Sequence, residues 1–147
     1  KIHILKNAIE FAKKTGINKP KVAILSATED PIKSMPSSIE AKEIAERALD
    51  ENIDADVVGP LAFDIAVSSE AAKIKGTSNN VAGNADIILV PNLETGNSLV
   101  KMMIHFMGAC AAGIILGGKV PVVVTSRSDS KSARIASIAA AIVAKTN

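Results

Sequence analysis

The chain has 147 residues, of which 48% are hydrophobic, so it can bury one core of ordinary domain size, and this composition argues against disorder. Its 17 basic and 15 acidic residues are interspersed and give a net charge of +2, which argues against a nucleic-acid stripe or a basic membrane-binding patch. With no Trp, no Tyr and three Phe, the sequence also offers few side chains that could stack on bases.

Helical and extended patterns alternate along the chain. Amphipathic spacing predicts helices, and short continuous apolar runs predict strands that are buried on both faces. In chain order we predict a helix at 3–15, a strand at 22–25, a helix at 39–49 capped by Ser37 or Ser38, a strand at 57–58, a helix at 63–75, a strand at 87–90, a helix at 97–109, strands at 113–116 and 120–125, and a helix at 131–144. Because such alternation requires crossover connections, we expect a three-layer α/β fold whose mostly parallel sheet is flanked by helices.

The junction after the strand at 87–90 carries the polar run Glu94-Thr95-Gly96-Asn97. We expect this run to stand at the start of the next helix. A helix N-terminus has unpaired N–H groups and a positive dipole end, and open α/β sheets bind ligands beyond the carboxyl ends of their strands. The junction therefore predicts an anion site, with ordinary turn and cap roles for Gly96 and Asn97 as the alternative.

A second polar run, Ser126-Arg127-Ser128-Asp129-Ser130, lies between the last predicted strand and the last predicted helix. A guanidinium group, three hydroxyls and helix-start amides meet here, and these groups bind phosphate oxygens. The alternative is a well-capped helix that follows a solvated arginine.

Other reactive side chains give weaker signals. Cys110 lies among small apolar residues, which predicts a buried, inert thiol, although a catalytic thiolate near His105 is an alternative. His3 and His105 lack metal-ligand spacing, so we predict no metal site. The sequence shows no signal peptide and no apolar run of ~18 residues, which leads us to expect a cytoplasmic protein with no membrane partner.

Four blocks of the sequence resemble the carboxy-terminal half of the phosphate acetyltransferase/phosphate butyryltransferase family. They are Gly59–Asp64, Val81–Asp86, Pro91–Asn97 with Lys101, and Pro121–Ser130. The resemblance covers about residues 20–147, and the last block looks closer to the butyryltransferase branch. It implies reversible acyl transfer, in which acyl-CoA and phosphate give acyl phosphate and coenzyme A, with CoA as co-substrate and no prosthetic group.

The resemblance also implies an architecture of two α/β domains around a cleft, similar to the isocitrate/isopropylmalate dehydrogenases. On this basis residues 1–118 are most of the second domain, and residues 119–147 are a strand and helix of the first domain, whose N-terminal part is absent. The chain begins at Lys1 rather than Met, so we expect a processed protein or a fragment. We therefore expect a homodimer or a companion N-terminal fragment to cover the apolar surface that remains.

The resemblance further implies roles for individual residues. Ser126 and Arg127 fall on the family's Ser-Arg pair, whose arginine contacts phosphate or acyl phosphate. The acidic residue that deprotonates the CoA thiol in the acetyltransferases falls on Ala133 here, so Asp129 is our substitute candidate for the general base. An arginine of the acetyltransferase pattern falls on His105, which favours the butyryl-type branch.

The remaining matched residues, Gly96, Asn97, Lys101 and Ser128, are expected to bind substrate. Two other functions stay open at this point. The chain alone can be a CoA- or phosphate-binding module without turnover. A nicotinamide-dependent decarboxylating dehydrogenase is the third hypothesis, although the Asp-rich metal pattern expected for that chemistry is missing from the sequence.

Overall fold

A computed structural model describes residues 1–145 of the chain. Its elements in chain order are α1 (Ile2–Lys14), β1 (Lys21–Leu25), α2 (Pro36–Asp50), β2 (Asp56–Leu61), α3 (Phe63–Val67), α4 (Ser69–Ile74), β3 (Ile87–Leu89), α5 (Leu93–Met107), β4 (Ile114–Ile115), β5 (Val122–Val123) and α6 (Lys131–Lys145). The chain divides into two compact units between Asn92 and Leu93. Each unit has its own sheet.

The first unit is a three-layer α/β structure. Its sheet has the order β2-β1-β3, and both neighbours run parallel to β1. Successive side chains of β1 point to opposite faces, so Val22 joins a core cluster with α1 and α2, whereas Ala23 joins another with α3 and α4. This confirms the predicted α/β fold with a parallel sheet flanked by helices.

Two helix boundaries in this unit differ from the prediction. Helix α2 begins at Pro36, whose fixed φ suits the first helical position, and neither Ser37 nor Ser38 caps it. The fully buried Ser38 hydroxyl instead donates to the Met35 carbonyl at 2.7 Å and accepts from the Ile32 amide at 2.9 Å. Its side chain therefore ties the preceding loop to the helix.

The single helix predicted at 63–75 is two short helices. The backbone of Ser68 is extended, and its hydroxyl accepts the Ala71 amide at 3.2 Å, so the chain stops α3 and starts α4 at this serine. Gly83 packs directly on the start of α4 with a φ of +74°, which glycine adopts without strain.

The second unit differs more from the prediction. Strands β4 and β5 are antiparallel, with Ile114 opposite Val123 and Ile115 opposite Val122, whereas we predicted a mostly parallel sheet. The reason is the short connection through Gly117, because a parallel pair needs a crossover of a dozen or more residues. Helix α6 packs against both strands.

The division of the chain also bears on the predicted domains. Within the described residues, β4 and β5 belong to one unit although they lie on either side of residue 118. The assignment of 1–118 and 119–147 to two domains of a longer protein stays a prediction. Among residues 1–145, no helix is long and apolar enough to cross a membrane.

Candidate functional site

The loop after β5 is a closed turn. The Ser126 amide donates to Asp129 Oδ2 at 2.6 Å, and the Asp129 amide donates to the Ser126 carbonyl at 3.1 Å. The Ser126 and Ser128 hydroxyl oxygens lie 3.1 Å apart. The side chain of Asp129 thus bridges the turn that carries Arg127 and both hydroxyls.

Helix α6 starts immediately after this turn. The Ala133 amide donates to the Ser130 hydroxyl at 3.2 Å, so Ser130 caps the helix as the alternative interpretation of this run predicted. Arg127 lies at the turn with an exposed side chain, and no ion pair or hydrogen bond of its guanidinium is present within residues 1–145. The capped helix and the unengaged arginine are therefore both present.

Two adjoining cavities in the second unit lie beside the turn. The first, of about 280 Å³, is lined by Asn97, Lys101, Ser126 and Asp129 among others. The second, of about 320 Å³, shares Lys101 and Asp129 and adds His105, Cys110 and Ser128. Five of the seven predicted site residues thus line one connected region, while Gly96 and Arg127 are not among the described lining residues.

Helix α5 places the polar side chains on one wall of these cavities. It begins at Leu93, four residues before the predicted start, so Gly96 and Asn97 lie inside the helix. The predicted helix start at Asn97 is therefore wrong, while the anion site expected at this junction stays a prediction. Asn97, Lys101 and His105 are instead spaced by four residues, which puts them on the same helix face.

Sequence reasoning missed the backbone that forms the opposite wall. A Cβ on Gly113 would lie 2.5 Å from the Val124 carbonyl oxygen, so only glycine fits there without a shift. The Gly113 amide donates to the hydroxyl of buried Ser137 at 3.0 Å, and its carbonyl accepts from the Val124 amide at 2.9 Å. The sequence did offer one signal for this contact, which is that Ser137 interrupts the apolar pattern of the last predicted helix.

The predicted burial of Cys110 was wrong. Its side chain is exposed, because residues 108–113 form a connecting segment after α5 rather than part of a core. The thiol lines the second cavity together with His105. Within residues 1–145, no group of three or more His, Cys, Asp or Glu side chains is arranged to hold a metal ion.

One acidic residue of the matched blocks, Asp64, lies in the first unit. Its carboxylate is 2.9 Å from Lys75 Nζ, and the hydrogen bond from Lys75 lowers the pKa of the Asp64 carboxyl below its ordinary value. This half-exposed pair links α3 to the end of α4, so its geometry explains Asp64 as a structural residue.

The arrangement in the second unit suits an oxyanion ligand. Lys101 supplies a positive charge, while Asn97, Ser126 and Ser128 supply neutral hydrogen-bond donors. Arg127 stands at the same turn with its guanidinium unengaged within the described chain, and a guanidinium can hold two phosphate oxygens at once. The catalytic and binding roles of these residues stay predictions.

Comparisons with known proteins agree with this description. A family described as "Phosphate acetyl/butaryl transferase" matches residues 1–142. A phosphate acetyltransferase of Rhizobium meliloti is 48% identical over 94% of this chain and 44% of its own length. A phosphate butyryltransferase of Clostridium acetobutylicum is 44% identical over 98% of this chain and 48% of its own length.

Solved structures are similar as well. A branched-chain phosphotransacylase from Enterococcus faecalis V583 superposes with a TM-score of 0.89 at 43% identity, over 97% of this chain and 51% of that chain. A phosphotransacetylase from Streptococcus pyogenes superposes with a TM-score of 0.78 at 31% identity, over 98% of this chain and 44% of that chain. The chain thus spans about half the length of the relatives it matches. With nearly every residue matched, it belongs to the phosphate acetyl/butyryl transferase family, as the four sequence blocks indicated.

Proposed function

We propose that this chain carries part of the active site of a phosphate acyltransferase, which moves a short acyl group reversibly between coenzyme A and inorganic phosphate. The observation that carries the proposal is the convergence of Lys101, Asn97 and the Ser126–Asp129 turn on one cavity region. The names of the relatives, which are phosphate acetyltransferases and butyryltransferases, support the same reaction. Coenzyme A enters this proposal as a co-substrate, and no resident cofactor is proposed.

In the proposed reaction Arg127 binds the phosphate or acyl phosphate oxygens. As the tetrahedral intermediate forms and collapses, the guanidinium offsets the charge on those oxygens, and Ser126 donates to the oxyanion. Lys101, Asn97 and Ser128 hold the substrate from the cavity wall. Gly96, one residue before Asn97 on α5, stays a sequence-based candidate for substrate binding, and Asp129 stays one for the general base.

For the acyl group we propose a butyryl or branched short chain. The support is the last sequence block, His105 in place of an arginine, and the superposition on a branched-chain phosphotransacylase. Relative rates with acetyl-CoA, butyryl-CoA and isobutyryl-CoA test this preference. A higher kcat/KM for acetyl-CoA contradicts it.

For the whole protein we propose a two-domain fold similar to that of the isocitrate/isopropylmalate dehydrogenases, and a location in the cytoplasm. We also propose that it forms a homodimer or associates with a companion N-terminal fragment. Several large apolar side chains of the second unit are exposed, including Phe106, Ile135, Ile138 and Ile142. Such a surface calls for an additional packing partner. Sedimentation of the complete protein measures its oligomeric state.

The central experiment measures phosphate-dependent release of free thiol from acyl-CoA. It compares the 147-residue chain with the product of the complete open reading frame that encodes it. We expect Arg127→Ala in the complete product to lower kcat/KM for phosphate by about 100-fold or more, because one charged donor to the transition state is lost. Arg127→Lys is expected to recover only part of this loss, since an ammonium group keeps the positive charge but cannot form bidentate hydrogen bonds with two phosphate oxygens.

Arg134→Ala is the matched control, because Arg134 is also exposed but lies on α6 outside both cavities. We expect it to retain wild-type turnover. Wild-type activity in Arg127→Ala would remove Arg127 from the mechanism. Absence of phosphate-dependent release from the wild-type complete product would refute the acyltransferase itself.

A second candidate function is favoured by the length of the chain, which is about half that of its relatives. In this case the 147 residues alone bind CoA or phosphate without turnover. Calorimetric titration of the chain with CoA and with phosphate tests this directly. Binding without thiol release supports the binding module, and turnover by the chain alone contradicts it.

A further inference from the structure

Acyl transfer to coenzyme A requires that the thiol lose its proton, and the reverse reaction requires that the departing thiolate regain it. A thiol ordinarily ionises near pH ~8.5, so a group of the protein has to handle this proton at neutral pH. Building on the proposed function, we propose that His105, in place of the sequence-based candidate Asp129, is the proton acceptor. Asp129 is then a positioning residue that holds the Ser126–Asp129 turn.

The contacts of Asp129 point to a positioning role. Its Oδ2 accepts the Ser126 amide at 2.6 Å, and its own amide donates to the Ser126 carbonyl at 3.1 Å. This carboxylate oxygen is therefore already engaged by the backbone of the turn. What the carboxylate does supply is the shape of the turn that carries Arg127.

The position of His105 is suitable for accepting the proton of the CoA thiol. His105 is exposed and lines the second cavity with Ser128 and Asp129, and no hydrogen bond of its ring is present among residues 1–145. Imidazole is the side chain that changes its protonation between about pH 5 and 8. A general base works best when it titrates near the operating pH.

The charged and titratable groups around His105 in the cavity come from three elements. Lys101 lies one turn earlier on α5, Cys110 lies in the following segment, and Asp129 lies in the turn before α6. One cationic and one anionic side chain thus line the same cavity as His105.

The proposed step balances in both directions. When CoA is acylated, a ring nitrogen of His105 takes the thiol proton, and the sulfur forms its bond to the acyl carbon. The bond between that carbon and the bridging phosphate oxygen then breaks, and its electron pair leaves with inorganic phosphate. In the reverse direction phosphate attacks the thioester, and the imidazolium returns the proton to the departing thiolate.

Two variants of Asp129 separate positioning from proton transfer in the complete protein. Asp129→Ala removes the acceptor of the Ser126 amide, and we expect kcat/KM for phosphate to fall by about tenfold or more. Asp129→Asn keeps an oxygen that can accept this amide but cannot serve as the base. We therefore expect Asn to rescue most of the activity that Ala loses. An equal loss in both variants overturns the proposal.

Variants of His105 test whether its side chain accepts the thiol proton. His105→Gln preserves a polar side chain without a titrating ring, and we expect kcat for CoA acylation to fall by about 100-fold or more. The limb of the pH-rate profile between about pH 5 and 8 should disappear with it. His3→Gln is the matched control, since His3 is the other histidine and lies exposed on α1.

The outcomes distinguish this inference from the proposed function. A wild-type protein that releases no thiol refutes the acyltransferase and the inference together. An active wild type whose rate and pH profile are unaltered by His105→Gln overturns the inference alone, and the acyltransferase stands.

Discussion

Ser137→Ala tests how the wall of the candidate site is held. Ser137 is 1% exposed, and its hydroxyl accepts the Gly113 amide at 3.0 Å while donating to the Ala133 carbonyl at 2.8 Å. Alanine leaves the Gly113 amide without this acceptor. An unsatisfied donor of this kind costs roughly 1–3 kcal/mol, and a value of about 2 kcal/mol corresponds to about 30-fold in an opening equilibrium.

Amide hydrogen exchange measures this opening residue by residue. We expect the Gly113 amide to exchange about 30-fold faster in Ser137→Ala, while amides of β1 in the first unit keep their rates. Ser132→Ala is the matched control on the same helix, because Ser132 is exposed and its hydroxyl is hydrogen-bonded to the Ser130 hydroxyl, whereas the Gly113 amide donates to Ser137. Unchanged exchange of Gly113 in Ser137→Ala would refute the claim that this hydrogen bond holds the wall.

Two further predictions concern the first unit. Gly83 has a φ of +74°, and a Cβ on it would lie 2.4 Å from Ser69 Cα, whereas Gly16 has a φ of +98° with open space around it. In denaturant titrations, Gly83→Ala should therefore lower the free energy of unfolding by more than Gly16→Ala does. Equal losses of about 1 kcal/mol in the two variants would show that the contact with Ser69 costs nothing. Hydrogen bonds from Lys6 and then Arg47 lower the pKa of Glu51 to about 2 from an ordinary value of 4.5. A carboxyl whose folded pKa is lowered stabilises the protein fully above pH 4.5, and this stabilisation is lost as the pH falls toward 2. Denaturation midpoints of Glu51→Gln and wild type should therefore converge between pH 5 and 2, and a constant difference would contradict the pairing.

Local chemistry made much of the fold predictable. The helix at 3–15 and the strand at 22–25 match α1 and β1 within two residues, because hydrophobic periodicity and the stops at Gly16 and Pro20 are local signals. The start of α5 was less predictable. Glu94 to Asn97 resemble a cap and turn, but the helix already begins at Leu93, because such residue preferences are weak and a single glycine inside a helix costs only about 1 kcal/mol.

The candidate site was likewise only partly predictable from the sequence. The sequence alone identified the polar turn from Ser126 to Ser130 and the family, since both depend on residue types in order along the chain. Only the tertiary structure showed that Lys101 and Asp129 line the same cavities, that Cys110 is exposed, and that Ser137 supports Gly113. These facts depend on which segments meet in space. Hydrogen bonds between residues 24 positions apart, such as that of Gly113 with Ser137, leave no periodic trace in a single sequence.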